Sequence, residues 1–273
     1  MHTEHVEFRG MPCIRLHADG ATAVVALHGA HVLSWQSADR RERLFLSDRA
    51  TFDGRAAIRG GIPVIFPQFA ERGALRKHGF ARTTSWISHG TDDDAALFEL
   101  VDDGTRFAGW PHAFRARLRL QLTAMQLSAT LEIDNTGDAP FAFAAALHTY
   151  LRVADIANVA IEGLQGCDYE DSANGGTLHR EHNYDVTFDG ELDRIYADVV
   201  APLALVDANE TFAIEQEGFG DVVVWNPGEP LAARIGDLSP GDHRHFVCVE
   251  AAQVMQPLVL APGETWTGTQ RLG

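Results

Sequence analysis

A histidine and a glutamate, far apart in the chain, each stand where an ionisable group is costly. In FAFAAALHTYLRV, residues 141–153, alternation places Phe141, Phe143, Ala145 and Leu147 on one face of a strand. Ala142, Ala144, Ala146, His148 and Tyr150 fall on the other. The alanine row leaves room above the sheet, and His148 stands at its end. That face suits a ligand; it equally suits a close-packed neighbouring strand, with His148 as a hydrogen-bonded core histidine. In FVCVEAA, Phe246, Cys248 and Glu250 share one face of an apolar strand. A carboxylate buried there must be paired or used; otherwise Glu250 marks a strand end open to water. Facing each other across a pocket, an ionised Glu250 and a protonated His148 would form a general base and a general acid. Separation along the chain does not decide whether they meet.

The second chemical feature is a cluster of cations. Residues 55–82 hold Arg55, Arg59, Arg72, Arg76, Lys77 and Arg82 against Glu71 alone, in a chain with a formal net charge of −16. Lys77 is the only lysine. Pro63, Pro67, Gly60, Gly61, Gly73 and Gly79 make the segment largely loop, and ordered loops on a rigid scaffold are where binding residues concentrate. The arginine fork matches phosphate or carboxylate, so two or three of these cations converging would hold a phosphate monoester. The alternative is pairing with surface acids. The spacing is not that of a phosphate loop, GxxxxGK[ST].

Other chemistries find less support. His243 and His245 in GDHRHFVCVE resemble a cupin metal motif, but Glu250 has the opposite strand parity and no histidine follows residue 245. There is no GxSxG elbow and no alternation of strands with helices, so a Ser-His-Asp hydrolase of the α/β type is unsupported. The three cysteines, Cys13, Cys167 and Cys248, form no CxxC pair and predict neither a disulfide framework nor a structural zinc. The acidic balance disfavours nucleic acid and anionic membrane as partners. Neither an apolar leader nor a membrane-length apolar run is present, so a soluble, cytoplasmic protein is expected.

The elements that must position these residues are short strands. In FRARLRLQL, Phe114, Ala116, Leu118, Leu120 and Leu122 oppose Arg115, Arg117, Arg119 and Gln121. LSATLEIDNTGD answers it, and the two predict a hairpin. Further strands are expected at TAVVALHG, HVLSWQS, RLFLS, ALFELVDD, NVAIEGL, TFAIEQE, DVVVWNP and TWTGTQRL, separated in places by NPG, SPGD and APGE. Apolar residues make up 45% of the chain, enough for a large core. The pattern predicts an all-β sandwich or barrel. No linker or repeat divides it, so residues 1–273 are read as one domain.

IRGGIPVIFPQF, KHGFAR, ALHTYLRV, ELDRIY, VVVWNP and FVCVE occur here in an order that resembles the hexose-6-phosphate mutarotases, or glucose-6-phosphate 1-epimerases, of the aldose 1-epimerase superfamily. The resemblance runs from about Val24 to the carboxyl terminus. It implies a large antiparallel β-sandwich of the galactose-mutarotase type. It implies that His148 and Glu250 are the catalytic pair, that Arg59 and Arg82 bind the substrate and its phosphate, and that His78 lines the pocket. It further implies that Asp193 contacts sugar hydroxyls. Lys77 stands where the family commonly has glutamine, and is a further candidate for the phosphate. FPQFA, WNPG and VEAA also depart from the family's FPWFG, WNPW and VEPG, changes that spare the acid and base but bear on sugar specificity. The implied activity is interconversion of the anomers of a hexose 6-phosphate, with no cofactor and no metal. The expected partner is a small sugar phosphate, and a monomer is the expectation. The alternative is a non-catalytic sugar-phosphate-binding or regulatory protein on the same fold.

Overall fold

The structure is a computed structural model that describes residues 1–92, 94–208 and 210–273. Strands dominate, and the paired strands are antiparallel. A nine-stranded sheet runs in the order 185–187, 159–162, 203–207, 210–217, 265–272, 127–135, 113–122, 95–103 and 87–92. An eight-stranded sheet runs in the order 177–180, 168–171, 192–196, 221–226, 246–260, 141–147 and 64–65, with 150–152 also pairing to 246–260. A four-stranded meander, residues 2–36, completes the strands.

The predicted hairpin forms, with Phe114 opposite Asn135 through to Leu122 opposite Leu127. Its apolar face is buried, and its arginines lie half-buried on the other face beside acids: Arg115 on Asp134, Arg117 on Glu132 and Asp134, Arg119 on Asp92. RLFLS makes only isolated bridges, at Leu44 and Leu46. Residues 2–8, 11–18, 168–171 and 177–180 form strands that the sequence pattern did not announce. The edge strand Thr177–Arg180 is exposed throughout, so no burial alternation marks it.

One apolar core joins the large sheets. It takes Leu118, Leu131, Ile133 and Leu272 from one, and Ala145, Leu147, Val222, Val224, Val247 and Val249 from the other. The eight-stranded sheet is also covered on its outer face, which is why Phe246–Ala252 is buried without a break, Glu250 included. Two separate clusters cover it. Phe246 and Cys248 pack with Phe45, Tyr150 and Leu238. Ala252 and Val254 pack with Ile65, Phe69, Ala144, Ala146, Ile195 and Val223. Glu250 lies between the two sets along the strand.

Candidate active site

Glu250 has its place from strand parity. It shares the outer face with Phe246, Cys248 and Ala252, and its neighbour on one side is Val223. On the other side the adjacent chain breaks its ladder. Leu147 pairs with Ala251 and Tyr150 with Cys248, while His148 and Thr149 between them belong to no strand. The His148 N–H donates to the Pro63 carbonyl at 3.0 Å and the Tyr150 N–H to the Gly61 carbonyl at 2.9 Å, tying this break to the base of the cationic loop.

The break brings the histidine to the glutamate. His148 Nδ1 lies 3.3 Å from Glu250 Oε1, with side chains 9% and 2% exposed. His148 Nδ1 has no well-directed hydrogen bond, and Glu250 Oε2 has no partner. Two buried polar atoms without partners, each of a kind that costs about 1–3 kcal/mol to strand, mark a place shaped for a ligand. The imidazole is held edge and face: Tyr150 stacks on it at 4.8 Å between centroids and 8° between planes, and Trp225 meets it edge-on at 6.0 Å.

The electrostatics differ from the simple expectation. Burial pushes Glu250 well above the usual carboxylate range, with the charge of Asp193 adding to the effect. Burial also pushes His148 well below the usual imidazole range, helped by His78, Arg82 and Arg59. Both shifts favour the neutral carboxyl and the neutral imidazole over an imidazolium–carboxylate pair. The cause is the low dielectric, which disfavours both charged forms.

The loop supplies the rim. His78, with φ +64°, turns back so that the Ala70 N–H donates to its Nδ1 at 3.2 Å. That leaves the ring proton on Nε2, available to a ligand. Burial, together with Arg82, Lys77 and Arg59, holds His78 neutral, so these three cations all act on one spot. Its ring lies 5.7 Å from that of His148. Gly79 follows at φ +68°, and a Cβ there would stand 2.2 Å from the Phe66 carbonyl oxygen, so the turn requires glycine. Gln68 ties the loop together, donating to the carbonyls of Ala70 and Leu75 and accepting from the Leu75 N–H.

The cations do not share one fate. Arg72 pairs with Glu170. Arg59 donates from Nε to Asp237 at 3.1 Å and from Nη1 to the Tyr150 hydroxyl at 2.9 Å. Arg82 donates to the Lys77 carbonyl at 3.2 Å, while its buried Nε has no partner. Burial lowers the Arg82 guanidinium to about 10. Among the described residues, Arg55, Arg76, Lys77 and Arg82 make no ion pair. Pairing with surface acids thus accounts for only part of the cluster.

Asp193 sits on the same outer face, opposite Trp225 in the ladder. Burial first, and Glu191 second, push its carboxyl up to about 6. Spacing along the chain missed two participants. Tyr150 had shown itself only as one member of the alanine-lined face. Asp237, in GDLSPGD, carries no local signal, because its part depends on a guanidinium far away in the chain. His243 and His245 lie on a 3₁₀ turn, residues 242–245, and among the described residues no three His, Cys, Asp or Glu side chains are grouped to hold a metal.

Similarity to known proteins bears on the family and the fold. A family model described as aldose 1-epimerase matches residues 12–273. A protein of Cenchrus ciliaris named "Putative glucose-6-phosphate 1-epimerase" is 36% identical over 268 residues, covering 92% of this chain and 80% of its own. One of the same name from Escherichia coli strain K12 is 37% identical over 238 residues, covering 84% and 79%. The crystal structure of a "putative mutarotase" from Salmonella typhimurium has a TM-score of 0.88 at 30% identity, covering 99% of this chain and 92% of that one. A galactose mutarotase related enzyme from Lactobacillus acidophilus has a TM-score of 0.76 at 15% identity and shares the fold. The expected antiparallel sandwich of the galactose-mutarotase type is therefore the observed one, and by a match that spans nearly its whole length the chain belongs to the aldose 1-epimerase family.

Proposed function

We propose that this chain is an isomerase that interconverts the α and β anomers of an aldohexose 6-phosphate, with glucose 6-phosphate as the first substrate to test. The observation that carries the reading is the buried approach of His148 to Glu250, with unpartnered polar atoms facing a rim of cations. The names of the relatives agree with the choice of substrate.

Phosphate binding at the rim has a direct consequence for the pair. Arg82 and Arg59 contribute to keeping His148 neutral. A phosphate dianion beside them cancels that contribution and moves the proton from Glu250 toward His148 across the 3.3 Å gap. Glu250 then takes the proton of the anomeric hydroxyl, and His148 gives its proton to the ring oxygen. The C1–O5 bond breaks as the C1=O1 double bond forms. Rotation about C1–C2 presents the other face of the aldehyde. Closure returns the ring-oxygen proton to His148 and the Glu250 proton to O1. Proton transfer by positioned groups of this kind contributes on the order of 10²–10⁴ in rate. Asp193 and the His78 Nε2–H orient hydroxyl groups, and Trp225 offers an apolar face to the sugar.

The test is exchange NMR or polarimetry of anomer interconversion, comparing glucose 6-phosphate with glucose. Acceleration of the phosphorylated sugar above that of glucose supports the reading. Tight binding of glucose 6-phosphate without any acceleration would leave a sugar-phosphate-binding protein instead.

A further inference from the structure

Behind the pair, on the core side of the same sheet, lies a polar group that the chemistry above does not use. Thr149 follows His148 and Val249 precedes Glu250. Strand alternation turns Val249 inward as Glu250 turns outward, and Thr149, in the ladder break, sends its hydroxyl into the same core, where it bonds Gln270. The Val249 N–H donates to the Thr149 carbonyl at 3.1 Å, but the reciprocal ladder bond is missing, because the Thr149 N–H donates to the Leu147 carbonyl at 2.9 Å. The Val249 carbonyl is therefore left over in the apolar core, where an unpaired acceptor is costly.

Gln270 fills the gap. It belongs to strand Thr265–Leu272 of the opposite sheet and is 1% exposed. Its Nε2 donates to the Val249 carbonyl at 3.0 Å, and its Oε1 accepts from the Thr149 hydroxyl at 2.5 Å. The carbonyl can only accept, so the orientation of the amide is set, and so is the direction of the threonine proton. One side chain thus bridges the two segments that carry His148 and Glu250, at the point where the ladder between them is interrupted.

We infer that Gln270, acting through Thr149 and the Val249 carbonyl, is a positioning residue that sets the separation of His148 and Glu250. This inference rests on the proposed acid–base roles of the pair. Neither Gln270 nor Thr149 touches the substrate. Their effect falls on the geometry of proton transfer, where small misplacements are expensive.

The experiment compares Gln270→Met, Thr149→Val and Thr149→Ser. Each is assayed for anomerisation of glucose 6-phosphate and for titration of the His148 imidazole by NMR. Gln270→Met keeps the length of the side chain and loses both bonds. It is expected to lower kcat roughly ten- to a hundredfold with KM changed by less than about twofold. Thr149→Val keeps the Val249 bond and falls less. Thr149→Ser keeps the hydroxyl and stays within about twofold of the parent. The groups whose charges reach His148, namely Glu250, His78, Arg82 and Arg59, are unaltered in all three. A shift of the His148 titration in Gln270→Met and Thr149→Val, absent in Thr149→Ser, therefore reports the altered geometry. Folded Gln270→Met with the parent's kcat and titration overturns the inference. Should that variant not fold, the Thr149 pair decides by the same criteria. Should the unaltered protein show no anomerisation, the proposed function falls, while the NMR titration still tests the clamp by itself.

Discussion

His148 and Glu250 belong to a sheet, whereas Arg59, Lys77, His78 and Arg82 belong to a loop, and the two regions are held in place by different means. The floor is fixed by ladder register and by apolar clusters on both faces of the strand 246–260. The rim is fixed by positive-φ turns and by side chains bonded to backbone, as in Gln68 to Ala70 and Leu75. Floor groups are dry, and burial suppresses their charge. Among the rim groups His78 is likewise held neutral, whereas the arginines keep their charge and Lys77 is exposed. A dry pair suits proton transfer, because a low dielectric strengthens the action of each positioned group on the reacting atoms. A wet, cationic rim suits capture of an anion. The rim also acts on the floor, since the charges that would bind a phosphate are among those that keep His148 neutral.

Substitution on the floor carries the largest expected effect. Glu250→Gln and His148→Asn are each expected to lower the anomerisation rate by about 10²–10⁴ with folding preserved. Exchange NMR under saturating glucose 6-phosphate measures the rate, and circular dichroism checks the fold. Near-parental rates in both would show that the floor is structural.

The pH dependence of kcat/KM sharpens the contrast. The active pair carries one proton and loses function with two or with none, so each limb should change by about tenfold per pH unit. The carboxyl is raised and the imidazole lowered, so the acidic limb reports mainly uptake of a second proton by His148. The basic limb then reports mainly loss of the Glu250 proton. This is the reverse of the assignment that ordinary side-chain values suggest, although the limbs belong to the coupled pair. Asp193, its carboxyl pushed up to about 6 by burial, is a further titrating group of the site. In Glu250→Gln the residual activity should lose its basic limb. Retention of that limb assigns it elsewhere.

Rim substitutions should discriminate between substrates. Arg82→Ala is expected to lower kcat/KM for glucose 6-phosphate about tenfold or more, the scale of one charge-assisted hydrogen bond, with little change for glucose. Arg59→Ala should do the same less strongly, because Asp237 already takes part of its charge. Equal losses on both sugars would remove the phosphate role of the rim.

Lys77→Gln should have the smallest effect, a few-fold rise in KM for glucose 6-phosphate. The salt dependence of that KM should weaken, as expected of an exposed charge screened by electrolyte. An unchanged KM and salt dependence would assign Lys77 to solvent and leave phosphate binding to the arginines.

The amino-acid sequence by itself determined the local geometry. Period-two alternation placed His148 with Tyr150 and the alanines, and Glu250 with Phe246 and Cys248, and both sets share faces in the structure. It also determined that residues 55–82 are an irregular, cationic segment. These features are local because the strand repeat and the turn preferences of glycine and proline are properties of a few consecutive residues. The tertiary structure alone decided which distant residues meet. His148 reaches Glu250 because Leu147 registers with Ala251 and Tyr150 with Cys248 on either side of a broken ladder. Arg59 is engaged by Asp237 and Arg72 by Glu170, while Arg82 makes no ion pair among the described residues. The opposite shifts of the carboxyl and the imidazole likewise come from burial, because desolvation depends on what surrounds a group in space and not on its neighbours in the chain.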